Sequence, residues 1–141
     1  MKRLIPILYL LLMPSAIWAA EPWYYGVWTV VGSDSPGISA MTTEEAKSWD
    51  GSVAHYTADI AEFRKNECSD PVYRSTEQSA AEFYDYYRFD PAKLGIDGKS
   101  IETIEVGCPD DWIQPGSKLL KVDSRTAYTS WDGVYFKLNK R

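Results

Sequence analysis

Short segments in which apolar and polar residues alternate recur along the chain, and turn residues such as Asp132-Gly133 separate them. Alternation with a period of two, or enrichment in β-branched and aromatic residues, is typical of strands. The predicted strands are residues 26–31, 52–60, 72–75, 101–108, 118–122 and 134–138. Because connections this short leave no room for repeated helical crossovers, we expect these strands to pair antiparallel.

Two capping boxes and one proline-led turn predict two or three short helices. Residues 42–45 (Thr-Thr-Glu-Glu) open a helix that Gly51 ends, and residues 90–95 form a single helical turn. Residues 77–87 stay open between two interpretations, because the capping box at residues 79–82 favours a helix and the aromatic residues after it favour a strand. The predicted fold class is α+β and β-rich, with five to seven strands in an antiparallel sheet or a small barrel-like domain.

The start of the chain predicts export. A basic beginning and an apolar run over residues 4–13 precede small residues, so residues 1–20 resemble a signal peptide cleaved after Ala19 or Ala20. A membrane anchor is the alternative, but the apolar run is shorter than the roughly 18 residues that a spanning helix needs. We expect a periplasmic protein whose mature form, residues 21–141, is a single globular domain.

The chain has two cysteines, Cys68 and Cys108, and both lie in the expected mature domain. Cysteines of exported domains usually pair, so we predict one disulfide. A metal pair or a reactive thiol would need partner residues that the sequence does not offer. The loop closed by the bridge spans roughly forty residues, which corresponds to about 4 kcal/mol in the chain-entropy model.

Few residues of the chain suit catalysis or metal binding. His55 is the sole histidine, which leaves both a zinc site and a Ser-His-Asp triad short of partners. The adjacent acids Glu44-Glu45 and Asp110-Asp111 are interpreted as solvated or dipole-complementing groups rather than as a glycosidase pair. Glycine-rich phosphate loops are also absent from the sequence. We therefore expect no enzyme activity, no cofactor and no metal.

Aromatic residues among acids are the better indication of function. Tyrosine and tryptophan dominate binding hot spots, although in a small domain the tyrosines of residues 82–90 could equally form core. The loop between Pro109 and Pro115 is expected at the surface. The mature chain would carry 13 basic and 20 acidic residues, a net charge of −7 that favours a cationic protein partner and disfavours nucleic acid. The candidate partner-binding residues are Tyr84, Tyr86, Tyr87, Asp110, Asp111 and Trp112.

The exported start, the single pair Cys68 and Cys108 and the high aromatic content together resemble the periplasmic immunity proteins of bacteriocins, in particular the pesticin immunity family. The resemblance implies that the protein binds and neutralises a peptidoglycan-degrading, lysozyme-like toxin. It implies no catalytic residues, and no contact residues are carried over from it. After signal cleavage, such a protein would not insert in the membrane.

A second resemblance is confined to the two ends of the chain. Gly26-x-Trp28 in the first predicted strand and the closing strand at residues 134–138 resemble the lipocalin pattern. This implies the alternative function, a carrier that holds a small apolar ligand among aromatic side chains. Carriers of this kind have long, regular strands around an apolar pocket, whereas the strands predicted here are short and interrupted by helical turns. The sequence therefore favours a protein-binding function.

Overall fold

The structure is a computed structural model that describes residues 15–109 and 114–141. Within these residues the chain forms nine strands: β1 (Gly26–Asp34), β2 (Val53–Tyr56), β3 (Ile60–Phe63), β4 (Asn66–Ser69), β5 (Val72–Ser79), β6 (Ser100–Gly107), β7 (Lys118–Lys121), β8 (Thr126–Trp131) and β9 (Val134–Lys140). The helices are α1 (Thr43–Lys47), α2 (Ala80–Tyr87) and one 3-10 turn (Pro91–Leu94). No helix in the described part of the chain has the length and apolarity needed to cross a membrane.

All nine strands belong to one antiparallel sheet in the order β4-β3-β2-β1-β9-β8-β7-β6-β5. A disulfide joins Cys68 on β4 to Cys108, directly after β6, with a distance of 6.0 Å between the two Cα atoms. These strands lie seven positions apart in the sheet, which in a flat sheet is about 34 Å at roughly 4.8 Å per strand. The sheet therefore curls into a half-barrel that brings its two edges together. The β-rich, antiparallel fold and the predicted disulfide are confirmed.

The concave face of the half-barrel holds the larger of two hydrophobic cores. Its entirely buried side chains come from both halves of the sheet: Trp28, Tyr56, Phe63, Ile104, Leu119, Phe136 and Leu138. The loop before β7 also enters this core, where the backbone oxygen of Gly116 accepts a hydrogen bond from the Tyr56 hydroxyl (2.8 Å). The Gly116 N–H donates to Thr129 Oγ1 on the opposite wall (3.0 Å). The loop thus links opposite walls of the concave core through Gly116.

The convex face carries a second core beneath α2 and the 3-10 turn. Phe83 of α2 and Leu94 of the 3-10 turn are buried against β6, β7, β8 and β9, which contribute Ile101, Leu120, Tyr128 and Tyr135. The strands in the middle of the sheet are therefore covered on both faces. Double coverage explains why Ala127, Tyr128 and Thr129 are all buried in succession on β8.

The seam between the edge strands β4 and β5 is closed by side chains. Tyr73 on β5 donates a hydrogen bond to the backbone oxygen of Thr57, on the turn between β2 and β3 (2.7 Å). The rings of Tyr24 and Tyr25 lie 4.9 and 5.5 Å from the Tyr73 ring. Just upstream, the Trp23 indole N–H donates to Glu102 on β6 (3.0 Å). The segment before β1 thus reaches the far end of the sheet and ties it down.

Three element predictions need correction. Residues 52–60 were predicted as one strand, but the chain turns at residues 57–59, where Thr57 Oγ1 accepts from the Ile60 N–H (3.0 Å). Ala54 and Tyr56 are buried on one face as predicted, whereas Ala58 is exposed. The predicted count of five to seven strands was too low, because residues 52–60 contribute to two strands, β2 and β3, and because β4 and β8 were missed. Strand β4 is mostly polar and gains its order by pairing with β3, and β8 does not alternate because it is buried on both faces.

The ambiguity over residues 77–87 is resolved by the second capping box. Ser79 Oγ accepts from the Glu82 N–H (3.2 Å), and the Glu82 carboxylate accepts from the Ser79 N–H (2.7 Å). Strand β5 therefore runs to Ser79, and α2 begins at the next residue. The first capping box, between Thr42 and Glu45, is also present. Local hydrogen bonding outweighs the strand preference of the aromatic residues.

Glu102 makes the seam sensitive to acid. Burial raises the pKa of Glu102, but hydrogen bonds from Trp23, Lys121 and Ser75 and the charge of Lys121 outweigh it and leave the pKa lowered. A lowered folded pKa means that the unfolded chain binds the proton more readily. The stabilisation is therefore present above the ordinary glutamate pKa of about 4.5 and is lost as pH falls through the folded value.

Glu102→Gln is expected to lower the free energy of unfolding at pH 7, because it removes the charge that pairs with Lys121. The loss should be only about 0.5–1 kcal/mol, since the ion pair is partly exposed and screened by solvent. The difference from the wild type should shrink as pH falls below about 4.5. Urea unfolding between pH 7 and pH 3 measures both curves. A constant difference across this range would show that the carboxylate charge has no part in closing the seam.

Candidate partner-binding surface

The predicted contact residues divide between described and undescribed parts of the chain. Asp110, Asp111 and Trp112 lie outside the described residues, so their prediction stays as it is. The three tyrosines all lie on α2, which the Ser79 capping box begins and Arg88 ends in a left-handed conformation (φ 63°). The predicted signal peptide lies mostly outside the described residues, and residues 15–20 are exposed and without regular secondary structure.

Helix α2 separates its aromatic residues into core and surface. Phe83 is entirely buried, and Tyr87 is half-buried with its ring 4.4 Å from the Phe83 ring. Tyr84 and Tyr86 are 52% and 71% exposed, and the Tyr86 ring lies 4.7 Å from that of Tyr87. The core interpretation of the tyrosine-rich stretch therefore holds for Phe83 and Tyr87, and the contact interpretation stays a prediction for the exposed Tyr84 and Tyr86. Tyr87 anchors the helix, and Tyr84 and Tyr86 are available to a partner.

The two exposed tyrosines point in different directions. Residues of an α-helix advance by about 100° each, which places Tyr84 and Tyr86 about 160° apart around the axis. Tyr86 shares its side of the helix with Glu82 and faces the strands β5 and β6. Tyr84 lies on the other flank. The structure thus brings one of the predicted tyrosines into a common site with acidic residues and leaves another outside it.

The site beside Tyr86 is a shallow groove of about 680 Å³ between α2 and the outer face of β5 and β6. We call it the acidic groove, because four of its lining side chains are carboxylates and the remainder are neutral. Its main residues are Glu77, Gln78, Glu82, Asp85, Tyr86 and Glu105. An exposed aromatic ring beside several carboxylates is suited to a basic protein surface, since arginine and lysine side chains pair with acids and stack on aromatic faces.

One lysine borders the acidic groove. The Lys118 amino group lies 3.9 Å from the Glu105 carboxylate and donates to the Tyr87 hydroxyl (3.2 Å). Burial lowers the pKa of Lys118, but Tyr87, Glu105 and Tyr86 outweigh it and hold the pKa above its ordinary value. Lys118 is therefore charged at neutral pH and neutralises part of the negative charge of Glu105. The groove keeps a negative excess from Glu77, Glu82 and Asp85.

Sequence reasoning missed the strand contribution to this groove. Glu105 and Gln78 lie on β6 and β5, which pair antiparallel on either side of a twenty-residue insertion that contains α2. The outward position of Glu105 follows from its alternation with the buried Ile104 and Val106, which is visible in the sequence. The sequence does not show that β5 pairs with β6 or that α2 lies over them. No local signal connects Glu105 with Tyr86.

Comparison with known proteins gives no assignment: no protein-family model matches the chain, and neither a curated protein nor a solved structure is significantly similar to it. The site must therefore be interpreted from its own chemistry.

The described residues contain no metal-binding cluster. Among residues 15–109 and 114–141, no three or more His, Cys, Asp and Glu side chains are grouped so that they could hold a metal ion. His55 lies on β2 opposite Glu62 of β3 and is half-buried. The carboxylates of the acidic groove lie on an open surface.

Proposed function

We propose that the protein is an exported immunity or inhibitor protein that binds and neutralises a peptidoglycan-degrading, lysozyme-like toxin in the periplasm. The observation that carries the proposal is the acidic groove with the exposed Tyr86 at its side. An acidic protein surface attracts a basic partner over several ångströms, and aromatic anchors then provide the short-range affinity. The chain's net charge of −5 acts in the same direction.

The framework around the groove supports a binding function. Tyr87 packs on Phe83 and accepts a hydrogen bond from Lys118, so the segment that presents Tyr86 is attached to the convex core. The disulfide holds the curled sheet beneath it in one shape. A rigid surface loses little conformational entropy on association, which favours tight binding. The packed concave face, with Trp28, Tyr56 and Phe63 entirely buried, supports protein binding over carriage of an apolar ligand.

The experiment uses mature protein, residues 21–141, with the disulfide intact and immobilised to capture proteins from bacteriocin-producing culture supernatants. We expect a basic peptidoglycan hydrolase to bind and to lose its activity on purified peptidoglycan at a one-to-one ratio. A captured protein without hydrolase activity, or a hydrolase that stays active when bound, would contradict the proposal. Because the attraction is electrostatic, raising the salt from about 0.05 M to 0.5 M should slow association.

Tyr86→Ala is expected to weaken binding of the captured hydrolase by about tenfold or more, because an exposed aromatic anchor is lost without any change to the core. Asp85→Asn should mainly slow association. Tyr84→Ala is the matched control, since it removes an equally aromatic side chain from the other flank of the same helix. Surface plasmon resonance measures all three variants. Equal losses for Tyr84 and Tyr86 would place the interface elsewhere than the groove.

The sequence-predicted loop residues need a separate variant. Asp111→Ala combined with Trp112→Ala is expected to weaken the same complex if the loop extends the interface. Unchanged binding by this double variant, together with a loss in Tyr86→Ala, would restrict the interface to the acidic groove.

A further inference from the structure

A second cleft has the opposite charge to the acidic groove. It has a volume of about 600 Å³ and lies where the residues after α1, the β3–β4 turn and the end of β8 meet. We call it the cationic cleft, because its charged lining side chains are Arg64 and Lys65 and the described residues contribute no carboxylate to it. The lining also contains Trp49, Trp131, Ser52 and Asn66. In an acidic chain, such a local excess of positive charge is a distinct feature.

The cationic cleft holds its arginine in a fixed place. The Arg64 guanidinium lies 4.5 Å above the Trp49 ring, and the other face of that ring stacks on Phe136 (4.5 Å, interplanar angle 13°). Stacking on an aromatic face leaves the in-plane N–H groups of a guanidinium free to donate. Within residues 15–109 and 114–141, the side chains of Arg64 and Lys65 make no ion pair with a carboxylate. Two cations therefore face the cleft without a counter-charge from the described chain.

The backbone at Arg64 is unfavourable for an arginine. Arg64 begins the two-residue turn between β3 and β4 with a φ of 58°, a conformation that glycine or asparagine adopts more easily. A non-glycine residue in this region is strained. The stacking on Trp49 offsets this strain and directs the guanidinium over the cleft. The turn thus holds the Arg64 guanidinium at the cationic cleft.

We propose that the cationic cleft binds a saccharide that carries a carboxylate. A guanidinium binds a planar carboxylate through two parallel hydrogen bonds, and Lys65 adds a second positive charge. Trp131 provides an apolar wall for the face of a sugar ring, and the Asn66 amide and Ser52 hydroxyl suit its hydroxyl groups. The volume is within the range of small-ligand sites. The cleft and the acidic groove share no lining residue, so the two proposals stand or fall separately.

Ligand titration of the mature, oxidised protein tests the chemical class. The probes are glucuronate, which has both ring and carboxylate, glucose, which lacks the charge, and acetate, which lacks the ring. We expect glucuronate to shift the indole N–H signals of Trp49 and Trp131 saturably in nitrogen–proton spectra. Glucose and acetate should each bind at least about tenfold more weakly. Equal binding of acetate and glucuronate, or no saturable shift by glucuronate, overturns the proposal.

Two variants place the binding in the cleft. Lys65→Gln and Arg64→Asn each remove one charge, and asparagine tolerates the positive φ at position 64. Each should weaken glucuronate binding by about tenfold, whereas Arg74→Gln, at an exposed arginine on β5, should leave it unchanged. Thermal unfolding checks that Lys65→Gln keeps the fold, so a loss in this variant reports binding. Wild-type affinity in Lys65→Gln and Arg64→Asn, or an equal loss in Arg74→Gln, overturns the assignment.

Discussion

Replacing Cys68 and Cys108 by alanine is expected to lower the free energy of unfolding by about 4 kcal/mol. The bridge spans a sequence separation of 40 residues, and in the chain-entropy model closing such a loop restricts the unfolded chain by about that amount. Native domains are stable by only about 5–15 kcal/mol, so the loss is a large fraction of the total. The bridge also connects β4 to the end of β6, at the place where the edges of the curled sheet meet.

Urea unfolding followed by circular dichroism and by tryptophan fluorescence measures the effect. Alanine is chosen because Cys68 is buried in the concave core, where alanine adds no polar group. The wild-type protein under reducing conditions is the matched control and should unfold at nearly the same urea concentration as the double variant. A loss below about 1 kcal/mol would mean that the side chains at the seam hold the half-barrel closed without the bridge.

Gly116→Ala is expected to cost about 4 kcal/mol, the combined effect of backbone strain and overpacking. Gly116 has a φ of 90°, and a Cβ atom there would lie 2.7 Å from the Phe63 Cβ and 2.9 Å from the Tyr56 hydroxyl oxygen. Both neighbours are entirely buried, so they have little room to move. The hydrogen bond from Tyr56 to the Gly116 carbonyl would be distorted as well.

Gly51→Ala is the matched control for this variant. Gly51 has a similar φ of 81°, but nothing lies within 4 Å of the position that its Cβ would take. This variant should therefore cost only the backbone strain, about 1 kcal/mol. The difference between the two variants, measured by thermal or urea unfolding, isolates the steric contribution in the core. Equal costs at the two positions would contradict the close packing of residue 116 between β2 and β3.

Much of the secondary structure could be predicted because its causes are local. The capping boxes at Thr42 and Ser79 need only a hydroxyl and a carboxylate three residues apart, and both are present as hydrogen-bonded pairs. The turn Asp132-Gly133 has positive φ at both positions, as a tight hairpin turn requires. The alternation of Val134, Phe136 and Leu138 correctly predicted one buried face of β9.

Strand β8 and the turn at residues 57–59 were missed for a physical reason. Alternation indicates burial on one face, and β8 is covered on one side by the concave core and on the other by the layer beneath α2. The apolar–polar alternation continues through residues 57–60, so the sequence pattern does not show that strand β2 ends at Tyr56. The layers that cover β8 come from distant segments, whereas the turn is closed by the local hydrogen bond from the Ile60 N–H to Thr57 Oγ1.

The sequence indicated which kinds of side chain would form a candidate site, but not which residues would come together in it. Exposed tyrosines among acids indicated a binding surface, and Tyr86 lies beside such acids. The sequence did not indicate that Tyr84 would fall on the other flank, or that Glu105 would come from a strand nineteen positions further along the chain. The cationic cleft likewise joins Trp49, Arg64 and Trp131, which are far apart in sequence.

By itself, the sequence determined the antiparallel, β-rich class and the caps of both helices, because these depend on residue type and short spacing. It also determined the pairing of the two cysteines, because the chain has no third cysteine to compete. The tertiary structure alone decided the curl of the sheet, the closure of its seam and the separation of one negative and one positive site. These depend on which strands meet across the barrel and on how α2 lies over them. Such contacts form between distant segments, and the free energy that selects them comes from burial of side chains that no local pattern pairs.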